Sequence, residues 1–205
     1  MIDVTTLSAY DLSQKLHSGE ISSLDLCKAY LDRIKKFEKD VKAWVFFDKK
    51  LLLEKAKEKD EYRKSGKPLG PLHGLPIAVK DIIGTLDMPT ECGTVFRKKM
   101  SSSQDSEIVN LLKTAGAIVM GKTVTCELAY IHPSKTTNPH DYSRTPGGSS
   151  SGSAAVIASH MAHLSIGSQT GGSIIRPASY CGVVGYKPSY GLISRSGVLK
   201  TSEKL

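Results

Sequence analysis

Apolar positions in the first third of the chain recur at spacings of three and four, the period of amphipathic helices. Ser8 to His17 is predicted helical and is stopped by Gly19. Ser22 or Ser23 can cap a second helix, which sets Leu24, Cys27, Tyr30, Leu31 and Ile34 on one face. The run KAWVFF at 42–47 predicts a short strand. From Asp48 to about Ser65 a charged helix is expected, with Leu52, Leu53, Ala56 and Lys57 turning gradually around it, until Gly66-Lys67-Pro68 ends it.

Beyond Pro71 the pattern changes. LPIAVKDIIG is strand-like, and its only interior charges are Lys80 and Asp81. Asp105 to Ala115 is predicted helical and Ala117 to Met120 a short buried strand. From Thr145 to Gly191 the chain is rich in Gly and Ser; AAVIASHMA within it reads as helix, LSIG and VVGYK as strands. Helix alternating with apolar strand predicts an α/β domain, a sheet covered by helices. There is no internal repeat and no linker, so residues 1–205 are expected to form a single unit: a mainly helical part over 1–66 and a core segment over 70–205.

Composition narrows the class. The 205 residues are 40% hydrophobic and 23% charged, ordinary for a soluble globular chain. No apolar run approaches the ~18 residues of a membrane helix. The first residues, MIDVTTLSAYDLSQKL, lack the basic and apolar regions of a secretory signal, so the cytoplasm is the expected location and no membrane is expected as partner. Cys27, Cys92, Cys126 and Cys181 are far apart, form no CxxC pair and have no histidine at zinc spacing, which predicts buried reduced thiols. The net charge of +8 raises nucleic acid as a partner. The basic residues are dispersed, however, and the one cluster, Arg97-Lys98-Lys99, is short, so a solvated face is expected instead.

Gly116 to Thr123, GAIVMGKT, matches the phosphate-loop pattern GxxxxGK[ST] letter for letter. That loop needs a strand before the first glycine and open backbone between the glycines. Here a helix precedes, and Ala, Ile, Val and Met between the glycines favour a buried strand, so no nucleotide site is assigned.

Three elements suggest chemistry. Lys80 lies in the apolar run PIAVKDI, where a buried ammonium is costly; it must find a carboxylate, reach solvent or lose its proton. Asp81 alternates to the opposite face of a strand and is a poor partner for it, whereas a neutral lysine can act as a general base. Gly147-Gly148-Ser149-Ser150-Ser151-Gly152-Ser153 leads directly into an apolar helix, which brings hydroxyls and free amides to one place. In GSQTGGSIIRPA, Gly171 and Gly172 before Ser173 let backbone approach a substrate carbonyl, so the amides of Thr170, Gly171, Gly172 and Ser173 could hold an oxyanion.

Taken together and in order, GPLHGLPIAVKD, AGAIVMGKT, TPGGSSSGSAA and GSQTGGSIIRPASYCGVVGYKPSYG resemble the amidase signature family over the last two-thirds of the chain. The resemblance implies a mixed central sheet and a triad in which Lys80 is the lysine, Ser149 the serine after a cis peptide bond, and Ser173 the nucleophile. It places the oxyanion amides at Thr170 to Ser173 and calls for no metal or organic cofactor. Ser173, deprotonated through Ser149 by neutral Lys80, would attack a linear amide and form an acyl-enzyme. The family's tRNA-dependent amidotransferase subunits usually read TDTGGSIR and GGSSGGS; SQTGGSIIR and GGSSSGS here look more like the free-standing amidases. The alternatives are the glutaminase-like A-type subunit of an amidotransferase, with its partner subunits, and a non-catalytic remnant. Family members are usually more than twice as long, so the fold is expected to be incomplete at its C-terminal side, and a homodimer is left open.

Overall fold

The computed structural model describes residues 3–201, within the expected 1–205 unit. Six helices and four strands follow in the order α1 (Ala9–Ser18), α2 (Ser23–Val41), β1 (Trp44–Phe46), α3 (Lys49–Lys64), β2 (Pro76–Lys80), α4 (Glu107–Thr114), β3 (Ile118–Thr123), α5 (Ser151–Ala158), β4 (Leu164–Ile166) and α6 (Ile175–Tyr180). Their caps are local. Ser8 Oγ accepts from Asp11 N at 3.1 Å and Ser22 Oγ from Asp25 N at 2.9 Å, each satisfying an orphan amide of the first turn. Gly19 ends α1 at φ 77°, a left-handed position that glycine occupies without penalty. A cap invisible to local reading comes from α3, where buried Asp60 accepts from Ser23 N at 2.7 Å and Leu24 N at 3.0 Å.

The sheet has the order β1-β3-β2-β4. β2 runs parallel to β3 and β4, and β1 lies antiparallel to β3, a mixed sheet of the expected class. Parallel strands are covered on both faces and so read as continuous apolar runs, as PIAVK and IVM do. On one face Ala78, Ile118 and Met120 pack with Leu26, Tyr30, Leu52 and Val156 of α2, α3 and α5. On the other, Val79 and Val119 pack with Ile83 and Val109 of α4. A Cβ on Gly121 would sit 2.9 Å from the Trp44 ring, so this glycine lets β1 lie against β3. No described helix is long and apolar enough to cross a membrane.

Within GAIVMGKT, Ile118–Thr123 is strand rather than phosphate loop, with Lys122 and Thr123 paired to Val79 and Lys80 of β2. The four cysteines are free and buried, and burial pushes the thiols of Cys27 and Cys181 up to about 12. Two expectations need correction. The helix expected over AAVIASHMA starts earlier, at Ser151, and ends at Ala158, because His160 takes a left-handed φ of 54° and turns Met161 back onto Val156 O. VVGYK is not a strand: it has no partner strand among the described residues, and Val184 is 98% exposed. β propensity expresses itself only where a neighbour offers a ladder.

Candidate active site

Ligand sites in open parallel sheets form beyond the carboxyl ends of the strands. Lys80 is the last residue of β2, Ser168 follows β4 by two residues, and Ser149 to Ser151 lead into α5. The topology therefore gathers the three elements singled out in the sequence at one edge.

Lys80 shares its sheet face with Ala78 and is fully buried. Its Nζ donates to Ser149 Oγ at 2.7 Å and to Ser168 Oγ at 2.9 Å. Both neighbours are neutral hydroxyls. Desolvation therefore dominates and pushes the Lys80 ammonium down to about 7, with Cys126 nearby acting weakly in the opposite direction. A group of that affinity is present in both forms near neutral pH, as a general base requires.

Asp81 points to the other face, as strand alternation demands, and there meets Lys122 Nζ at 3.3 Å. The register explains the sorting: Val79 pairs with Lys122 and Lys80 with Thr123, so Lys122 shares the Asp81 face. Lys122 also donates to Pro89 O at 3.0 Å and Thr90 Oγ1 at 2.7 Å, while Glu91 N donates to the Asp81 carboxylate at 3.2 Å. Burial pushes Asp81 up and Lys122 down, against their mutual attraction. β2 and β3 thus carry two buried lysines, and the carboxylate that follows β2 belongs to Lys122.

Ser149 is fully buried and follows a cis peptide bond from Gly148. Its carbonyl accepts from Cys126 N at 3.1 Å, and a Cβ on Gly148 would fall 2.6 Å from Cys126 Sγ, so the backbone passes close against Cys126. Ser173 is buried as well, at 9% exposure. Its hydroxyl and that of Ser149 make no direct hydrogen bond to each other among the described contacts. Their loops are joined instead by Ser150, whose N donates to Ser173 O at 3.2 Å and whose Oγ donates to Ser168 O at 3.1 Å. Gln169 Oε1 accepts from Ile174 N at 2.8 Å and Ile175 N at 2.9 Å. The amides of Thr170, Gly171, Gly172 and Ser173 donate to no acceptor among the described residues, and nothing lies within 4 Å of a Cβ built on Gly171.

Sequence reasoning gave no role to Ser168 and Lys122, and read Gln169 and Arg176 only as departures from TDTGGSIR, without their contacts. Lys122 carried the same signal as Lys80, a lysine inside an apolar strand run. Ser168 lay five residues before Ser173 in the same glycine- and serine-rich segment, but its aim at Lys80 is set by β4 pairing with β2.

The family described as Amidase matches residues 25–205. The chain belongs to the amidase family. It is 41% identical, over its whole length, to the A-type subunit of the glutamyl-tRNA(Gln) amidotransferase of Salinispora tropica, of which it spans 43%. Among solved structures it is similar to the peptide amidase of Stenotrophomonas maltophilia, with TM-score 0.89 and 36% identity over 96% of this chain and 43% of that one. It also resembles a fatty acid amide hydrolase, with TM-score 0.87 and 30% identity over 95% of this chain and 35% of the other. This amidase chain therefore spans less than half the length of these relatives.

Proposed function

We propose that this chain carries the catalytic residues of an amidase that hydrolyses a linear carbon–nitrogen amide bond through an acyl-enzyme on Ser173. The observation that carries the reading is Lys80 Nζ, buried with no carboxylate paired to it among the described residues and 2.7 Å from Ser149 Oγ. In its neutral form Lys80 turns its lone pair to Ser149 and keeps an N–H on Ser168. Ser149 passes its proton to Lys80 as it takes the proton of Ser173, whose oxygen attacks the amide carbonyl. The carbonyl oxygen becomes an oxyanion facing the unpaired amides of Thr170 to Ser173. The relay then returns the proton to the leaving nitrogen, the carbon–nitrogen bond breaks, and water attacking the ester by the same route frees the acid and Ser173.

On this reading residues 1–66 and 70–205 are the N-terminal part of one amidase domain, and the substrate is a small-molecule amide. Four free buried thiols suit the cytoplasm. The test is ammonia release from a panel of primary amides, including glutamine. Activity that disappears in Ser173→Ala supports the proposal; activity retained by that variant sinks it.

A second reading, the A-type subunit of a tRNA-dependent amidotransferase, is favoured by the name of the Salinispora tropica relative. Gln169 and the shifted Arg176 favour the free-standing enzyme. Ammonia release from glutamine that appears only with partner subunits would decide for the second reading.

A further inference from the structure

Ser149 can relay a proton only if its hydroxyl is aimed at both Lys80 and Ser173, and that aim depends on the two peptide planes flanking it. The plane after Ser149 is held from β3's exit, where Cys126 N donates to Ser149 O at 3.1 Å. The plane before it is held from elsewhere. Arg176 donates to Gly148 O through Nε at 3.0 Å and Nη2 at 2.7 Å. Arg176 lies three residues beyond Ser173, in α6, and makes no ion pair with a carboxylate among the described residues. A planar guanidinium that places two donors on one carbonyl restricts the direction of that carbonyl as a single ammonium donor cannot.

The contacts made by Ser150 do not substitute for this. Ser150 N on Ser173 O and Ser150 Oγ on Ser168 O hold the residue after Ser149 against the second loop. Neither fixes the peptide between Gly148 and Ser149. We propose that Arg176 is a positioning residue: its guanidinium, tied to Gly148 O, couples the orientation of Ser149 to the element that carries Ser173. This rests on the relay proposed above. It gives the arginine's place, one residue further from the nucleophile than in TDTGGSIR, a purpose within this chain.

The test is the rate at which a fluorophosphonate adds to Ser173, followed by intact mass for the purified wild type, Arg176→Ala, Arg176→Lys and Ser173→Ala, with melting midpoints for each. Small misplacements of reacting groups are amplified in rate, so Arg176→Ala is expected to label about tenfold more slowly or worse at an unchanged melting midpoint. Arg176→Lys should also be slow while remaining folded, and added methylguanidinium should return part of the rate to Arg176→Ala. Labelling of both variants at the wild-type rate overturns the inference. So does slow labelling of Arg176→Ala that methylguanidinium leaves unchanged. An adduct that survives Ser173→Ala removes the relay reading itself, an outcome distinct from both.

Discussion

At the scale of residues, two buried lysines differ in their surroundings by one carboxylate. Lys80 hydrogen-bonds only to hydroxyls among the described residues and is pushed down to about 7; Lys122 has Asp81 at 3.3 Å. The rate of Ser173 modification should therefore rise with pH through about 7, as Lys80 loses its proton, and Lys80→Ala should abolish the rise. A pH-independent rate would contradict the assignment. Stability carries the opposite face of the same fact. Below about 7 Lys80 is protonated folded and unfolded, and its burial opposes folding in full. Between that value and the ordinary 10.5 the unfolded chain binds the extra proton, so this opposition fades as pH rises. Lys80→Met should accordingly stabilise the fold more near pH 6 than near pH 10, by a difference on the order of several kcal/mol. Melting midpoints across that range measure it, and a pH-independent difference would contradict it. Lys80 was legible in sequence because a lysine in an apolar strand demands an explanation. The assignment of Asp81 to Lys122 was not, because it follows from the register between β2 and β3.

At the scale of elements, small residues and a buried pair hold the site edge in place. A Cβ on Gly152 would meet Ala43 O at 2.4 Å and Val124 N at 2.5 Å, because the first turn of α5 packs directly on the backbone just before β1 and just after β3. Gly152→Ala should cost about 1–3 kcal/mol in urea unfolding, as overpacking against rigid backbone does. A neutral result would mean that α5 can slide, and with it the loop of Ser149. For the pair on the far face, Asp81→Asn or Lys122→Met alone should cost about 3–5 kcal/mol, since each leaves a buried charge uncompensated. Asp81→Asn combined with Lys122→Met should recover much of that loss; additive costs would show that the pair is not coupled. Helices α1 to α4 and strands β1 to β4 were readable from periodicity and caps. The start of α5 was not, since SSSGS has no helical periodicity and becomes helical because only small side chains fit between the strands. VVGYK misled for the converse reason, as a strand-like composition without a ladder.

At the scale of the whole molecule, α6 and the segment after it leave large apolar side chains open to solvent. Ile175, Tyr180, Val184, Tyr186, Tyr190 and Leu192 are all exposed, Val184 to 98%. Faces of this kind mark surfaces that are covered in the working molecule. The chain spans 43% of the Salinispora tropica relative, and we propose that the remainder of an amidase domain covers this face. Residues 1–205 alone should therefore bind a hydrophobic dye, and Val184→Ser with Tyr186→Ser should reduce binding at an unchanged melting midpoint; no dye binding by the unaltered chain would contradict an open face. The resemblance to longer proteins led to the expectation of an incomplete fold, but did not say which surface is exposed. Whether the catalytic edge is assembled is the central question, and the intact mass of the protein after exposure to a fluorophosphonate tests it most directly. One adduct is expected on the wild type, absent in Ser173→Ala and absent in Lys80→Ala. No adduct on a folded wild-type protein, or an adduct that persists in Ser173→Ala, would contradict an assembled Lys80–Ser149–Ser173 relay.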